Sequence, residues 1–139
     1  MASLNFDSLF SDISTGAVVP STDTFYAMLV TSTYSPNKGT HTRRSDVTNE
    51  VVGTGYTLGG AAVTLTAALD TSLHKETYTF SAVSWTTATI TARACVIYKR
   101  RGGASSADNL VAYVDFGSDI VSTAGTFAVT FSAPLTIQN

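Results

Sequence analysis

The chain has 139 residues, a formal net charge of −2 and only 13% charged residues. A chain of that size suits one domain, here 1–139, able to bury about two thirds of the surface its unfolded form exposes, so folding needs neither disulfide nor metal. The slightly acidic balance argues against a dedicated nucleic-acid binder, and the single cysteine, Cys95, excludes an intrachain disulfide. With 23 threonines and 16 serines, hydroxyls rather than charges keep the surface polar. Threonine is β-branched, so the same residues favour strands. The opening residues Met1 to Ser8 lack the cationic-then-apolar pattern of a secretory signal. No run approaches the ~20 apolar residues of a membrane helix, so folding in a cytosol without a membrane partner is expected.

Residues 1–20 read as a short helical segment: Leu4, Phe6, Leu9, Phe10 and Ile13 recur at spacings near three and four, and Gly16 ends the pattern. After Pro20 the run from Asp23 to Thr31 has the length and composition of a central strand buried on both faces. The stretch from Ser32 to Glu50 is polar, with a turn at Tyr34 to Gly39 and room for one helical turn over Ser45 to Glu50. Gly53, Gly55, Gly59 and Gly60 punctuate a tight connection into a half-buried strand over Ala61 to Thr66. A strand follows over Glu76 to Val83 with Trp85 at its end. The next, Ala88 to Tyr98, is expected to set Ile90, Ala92, Ala94, Val96 and Tyr98 on one face. A loop from Lys99 to Asp108 leads to two last strands, Leu110 to Phe116 and Thr126 to Phe131, separated by a turn region from Gly117 to Gly125. The sum is a mainly β protein: an antiparallel β-sandwich or partly closed barrel of about six to eight strands with a short N-terminal helix. Trp85, Phe25, Leu29, Ile90, Val96, Phe127 and Phe131 are the expected core.

Motifs that could carry chemistry are weak. Gly53-Thr54-Gly55 opens like a dinucleotide fingerprint, but the third glycine is displaced to Gly59 and no helix pattern follows, so a tight turn explains the glycines better. Asp115-Phe116-Gly117 spells a kinase metal motif without the rest of a kinase, and reads as a strand end and turn. His41 and His74 have neither a paired-cysteine motif nor a triad arrangement around them. No nucleophile, base and orienting group can be assembled, so no catalytic, cofactor or metal residue is assigned and no enzyme is expected. Two basic clusters, Arg43-Arg44 and Lys99-Arg100-Arg101, hold five of the eight cations. They are solvated loop charge, the contact with an acidic partner surface or, as the least favoured option, a nucleic-acid contact.

Several ordered blocks resemble a family of small virion-associated structural proteins of tailed bacteriophages. They are Thr22 to Phe25 leading into Met28 to Ser32, the block Thr48 to Gly60, Trp85 to Arg93 with Val96 to Tyr98, Ala112 to Gly117, and Gly125 to Phe127. The resemblance implies a β-rich, non-catalytic component of the particle, made in the host cytoplasm and located in the virion.

Within that class a capsid decoration or cement protein is expected, bridging subunits of the major capsid protein as a homo-oligomer such as a trimer. Alternatives are a tail-tip, adaptor or other tail-associated protein binding another virion protein, and a carbohydrate-binding module for host attachment. The last would use rings among Tyr26, Tyr34, Tyr56, Tyr78, Trp85, Tyr98 and Tyr113.

Overall fold

A computed structural model describes residues 3–131 and 135–138. It is mainly β and antiparallel, as the composition predicts, and the barrel alternative does not hold: two separate sheets form instead. One has five strands in the order β1-β7-β6-β2-β3, the other three in the order β4-β5-β8. The strands are β1 (Leu4–Asn5), β2 (Phe25–Val30), β3 (Ala61–Val63), β4 (Leu65–Asp70), β5 (Lys75–Phe80), β6 (Val83–Lys99), β7 (Leu110–Val129) and β8 (Leu135–Gln138).

The helix α1 is shorter than the apolar spacing suggests, running Ser8–Thr15, because Leu4 and Asn5 pair as a strand with Tyr113 and Ala112 of β7. It ends where expected. Gly16 takes a left-handed φ of 78° and its N–H donates to the Ile13 carbonyl at 3.2 Å, a conformation glycine adopts without a Cβ penalty. Phe6 and Leu9 of the apolar stripe are buried, whereas Phe10 is exposed.

Strand β2 lies inside the larger sheet, between the central strand β6 and the edge strand β3. Its alternation feeds two cores at once: Phe25, Ala27 and Leu29 join a larger cluster, while Met28 and Val30 join a smaller one with Phe6, Tyr34, Val96, Tyr98, Leu110 and Tyr113. The larger cluster lies between the two sheets, where Tyr78 and Phe80 of β5 meet Trp85, Ile90, Phe127 and Val129. Trp85, Phe25, Leu29, Ile90 and Phe127 therefore share one core as expected. Val96 belongs to the other cluster, and Phe131 is only half-buried against the larger one, beyond the end of β7.

Four boundaries differ from the sequence reading, each for a physical reason. The expected strand 61–66 breaks at Thr64, where the chain passes from one sheet to the other. The corner is pinned by the Ser81 N–H on the Thr64 carbonyl and the Ser81 hydroxyl under the Thr64 N–H, both at 2.9 Å. The helical turn is a 3-10 turn at Arg44–Asp46, closed by the Asp46 carboxylate accepting from the Thr42 and Arg43 amides. These two bonds hold its carboxyl below the usual range. Trp85 lies inside β6 rather than at the end of β5. Most consequentially, residues 117–125 do not separate two strands. They belong to one continuous β7, which bulges instead of turning.

That bulge also overturns the single-face assignment on β6. Ala92 pairs with Ile120 but Ala94 pairs with Asp115, so Phe116 to Asp119 stand opposite Arg93 alone. Gly117 supplies the left-handed φ of 84° there. Across this break the residues facing the larger core change parity, from Ala88, Ile90 and Ala92 to Cys95 and Ile97, while Ala94, Val96 and Tyr98 face the smaller core. The ion pair Arg93 Nε to Asp115 Oδ1, 2.9 Å, staples the two strands at that point.

Candidate functional site

The structure brings the two basic clusters together. The isolated bridge Arg43–Asn109 joins their loops, and the Arg44 amide donates to the Asp108 carbonyl at 2.9 Å. Between them lies Asp108, fully buried, whose Oδ2 accepts from Arg44 Nε at 2.8 Å and whose Oδ1 accepts from the Arg101 amide at 2.9 Å. Burying a carboxylate is costly unless charge and hydrogen bonds compensate it, and here both do.

The remaining cations are similarly engaged. Arg101 reaches the carbonyls of Ala107 and Ala17 and the Asn109 side-chain oxygen at 2.9–3.2 Å. The Asn109 amide in turn donates to Asp12 of α1, 3.0 Å away. Arg43 donates to the Thr42 carbonyl and lies 3.9 Å from the Asp12 carboxylate. Lys99, expected in the loop, is the last residue of β6 and bonds Asp23 Oδ2 at 2.8 Å and the Ala17 carbonyl at 2.7 Å. Burial pushes the Asp23 carboxyl up, but the Lys99 ammonium and the Val19 amide outweigh it and leave it below its usual range. Arg100 lies over the Tyr26 ring at 4.4 Å and Arg44 over Tyr98 at 5.1 Å.

Arg43, Arg44, Lys99 and Arg101 thus form a polar clasp that ties α1, the 3-10 turn and the β6–β7 loop together, while Arg100 stays exposed over Tyr26. The reading of the clusters as merely solvated loop charge does not describe Arg44, Lys99 or Arg101. Charge spacing in sequence cannot distinguish a clasp from a docking patch. Asp108 and Asn109, its buried partners, gave no signal beyond being polar residues before an apolar strand.

The glycine-rich block works the same way. Residues 53–60 lie as a strap across β6 and β2. A Cβ at Gly60, whose φ is 81°, would fall 1.8 Å from the Ala27 carbonyl oxygen, and one at Gly55 2.6 Å from the Thr87 oxygen. Glu50 holds the strap down: its Oε1 accepts from the Tyr56 hydroxyl at 2.7 Å and from the Gly59 amide. Tyr56 accepts in turn from the Leu29 amide, and Tyr98 donates to the Gly59 carbonyl at 2.6 Å. No helix follows the strap, so no phosphate cradle is built.

Of the seven rings considered for sugar stacking, Tyr34, Tyr78, Trp85, Tyr98 and Tyr113 are buried. Tyr26 and Tyr56 are half-buried, the first under Arg100 and the second against Trp85 and Glu50. His41 bonds the Tyr34 hydroxyl through Nδ1 at 2.9 Å, and His74 is exposed. Among the described residues no three histidine, cysteine or carboxylate side chains gather as a metal-holding group, and no helix is long and apolar enough to cross a membrane. A cavity of about 630 Å³ opens between the two halves of β7, lined mainly by apolar side chains including Val114, Phe116, Phe127 and Phe131.

One element contrasts with all of these. Strand β4 is exposed from Thr66 to Leu69 on both faces, with Leu69 at 70%, and it forms an outer edge of the smaller sheet. The hairpin of β4 and β5 overhangs the core that its base, Leu65 with Tyr78 and Phe80, helps to build. The sequence pattern ends the strand at Thr66 because the Val63 and Leu65 alternation with threonine stops there and Leu69 is the one large apolar residue from there to Asp70.

The sequence matches no protein-family model, and no curated protein or solved structure matches it significantly.

Proposed function

We propose that this chain is a non-catalytic structural component of a tailed-phage virion, and that it serves as a decoration or cement protein bridging subunits of the major capsid protein. The observation that carries the reading is how the blocks of resemblance are used. The Thr48 to Gly60 block forms the strap, and Trp85 to Arg93 is joined to Ala112 to Gly117 by the Arg93–Asp115 pair. Each block therefore builds the framework rather than a cleft of reactive groups, which suits a protein whose product is a surface. The sandwich-like fold and the exposed edge strand of the β4–β5 arm favour a role in assembly over one in catalysis. A tail-tip or adaptor position is the second reading, since the same framework would serve there. The covering of the tyrosines and of Trp85 speaks against the carbohydrate-binding alternative.

A density map of the intact particle tests this. Copies spread over the head shell at regular sites are expected. Copies confined to the tail would select the adaptor reading, and absence from the particle would overturn both.

Replacing Arg43 and Arg100, whose side chains are not bonded to the buried Asp108, probes the basic surface as a capsid contact without dismantling the fold. Salt-sensitive loss of occupancy is the result that this contact predicts.

A further inference from the structure

The larger sheet ends in β1 and β3, of two and three residues, too short to template another chain. The outer edge of β4 runs six residues, Leu65 to Asp70, with no lysine, no proline and an unbroken register against β5. Short edges, lysines, prolines and bulges are how sheets avoid pairing with other chains, and β4 has none of them. Among the described residues nothing pairs with its outer side.

Backbone direction fixes what this edge can accept. Thr64 turns both its carbonyl and its N–H toward Ser81, and the register continues Thr66 to Thr79, Ala68 to Thr77 and Asp70 to Lys75. In an antiparallel ladder, alternate residues bond alternate sides, so Leu65, Ala67 and Leu69 direct their N–H and C=O groups to the open edge. A second antiparallel strand must pair through those three.

For a second β4 the match is internal to the sequence. With Ala67 opposite Ala67, Leu65 falls opposite Leu69 and Leu69 opposite Leu65 on one face, while Thr66 falls opposite Ala68 on the other. Asp70, the only charge in β4, faces Thr64, so no like charges meet. Apolar pairs on one face and small or hydroxyl pairs on the other are the favourable cross-strand combinations. The exposed Leu69 gains cover from a Leu65 already seated on the core.

We propose that two copies of this chain join edge to edge through β4, antiparallel about a two-fold axis at Ala67, into one continuous six-stranded sheet. The contact is isologous, so it makes pairs rather than the three-fold trimer expected from the sequence. It does not depend on the virion reading. A protein that decorates particles as a monomer would sink the pairing alone.

The test uses the whole chain. Ala67 at the axis is a hydrogen-bonded pair with Cα atoms about 5.5 Å apart, inside the ~4.4–6.8 Å range a disulfide spans. Ala67→Cys should cross-link under mild oxidation to twice the 14.6 kDa of one chain, with Cys95 silent in the core. Thr79→Cys, one strand inward, should pair without cross-linking. Ala67→Pro removes an outward N–H and leaves the ladder to β5 intact, and Leu69→Lys places a charge on the exposed face. In sedimentation equilibrium the unmodified chain should form dimers, and both variants should weaken them by about tenfold or more, the scale of losing cross-strand pairs on both sides of the axis. Should Ala67→Pro fail to fold, Leu69→Lys carries the comparison, because that side chain touches little in the monomer. A monomer at every concentration reached, dimers unaffected by Leu69→Lys, or Thr79→Cys cross-linking as fast as Ala67→Cys would overturn the proposal.

Discussion

The basic clasp and the β4–β5 arm invert what their sequences advertise. Five cations in two runs look like a surface waiting for a partner, yet the Arg44 guanidinium closes on a buried Asp108, that of Arg101 on Asn109 and the Ala17 and Ala107 carbonyls, and Lys99 on Asp23 and the Ala17 carbonyl. Strand β4 of the arm holds threonine, alanine and leucine with one acid, looks like unremarkable strand, and is the segment the fold leaves uncovered. On a chain with few charges, a cluster of cations is available to neutralise buried carboxylates before it is available to a partner. Where the fold spends its charge inside, the open surface is defined by unpaired backbone and exposed apolar side chains.

If the tied regions are structural and the arm is free, substitutions should divide sharply by region. The largest effect is expected at Gly60→Ala, where the new methyl meets the Ala27 carbonyl oxygen in a left-handed backbone. A loss of roughly 4 kcal/mol or more, the exceptional end of single-site effects, should appear in denaturant unfolding as poor folding or none. An unaltered midpoint would show that the strap is not seated on β2.

Phe127→Ala follows, at about 3–5 kcal/mol for a buried ring packed between Trp85 and Phe116, whereas Leu69→Ala in the arm should stay within about 0.5 kcal/mol. Comparable losses at the two sites would erase the distinction.

Arg44→Ala should cost about 3 kcal/mol, because it strands a buried carboxylate, while Arg100→Ala, which gives up a ring contact at an exposed position, should cost about 1 kcal/mol or less. Equal, small costs for both would return Arg44 to the solvated-loop reading beside Arg100.

The smallest effect is one of pH. The Arg93 guanidinium holds the Asp115 carboxyl at about 2, below its unfolded value. A lowered folded value means that the contribution is complete above about 4 and lost as pH falls from there toward 2. Asp115→Asn should therefore flatten the acid limb of the stability curve in that window and leave its slope near neutrality unchanged. An identical acid limb in the variant would remove the staple from the account.

Much of the fold was legible because period-two alternation and turn residues report local structure directly. Strand β2, the end of α1 at Gly16 and the shared core of Phe25, Leu29, Trp85, Ile90 and Phe127 all follow from it. What was not legible depended on partners distant in sequence. Gly117 and its neighbours look like a turn, but pairing with β6 on both sides converts them into a bulge and carries the strand on. The same bulge shifts the parity of β6, which no pattern within Ala88 to Tyr98 could show. The clasp was half visible: its cations stand out, while its buried acid 64 residues from Arg44 does not.

That copies of the chain meet through the β4 edge and not through the basic loops is read out by amide hydrogen exchange at low and high protein concentration. In the dilute protein, the amides of Leu65, Ala67 and Leu69 should exchange fast while those of Ala68 and Asp70 are protected by β5. Raising the concentration should slow the first set and leave the amides of Arg43, Arg44 and Arg101 unchanged. Protection that grows at the basic loops, with β4 indifferent to concentration, would contradict the account.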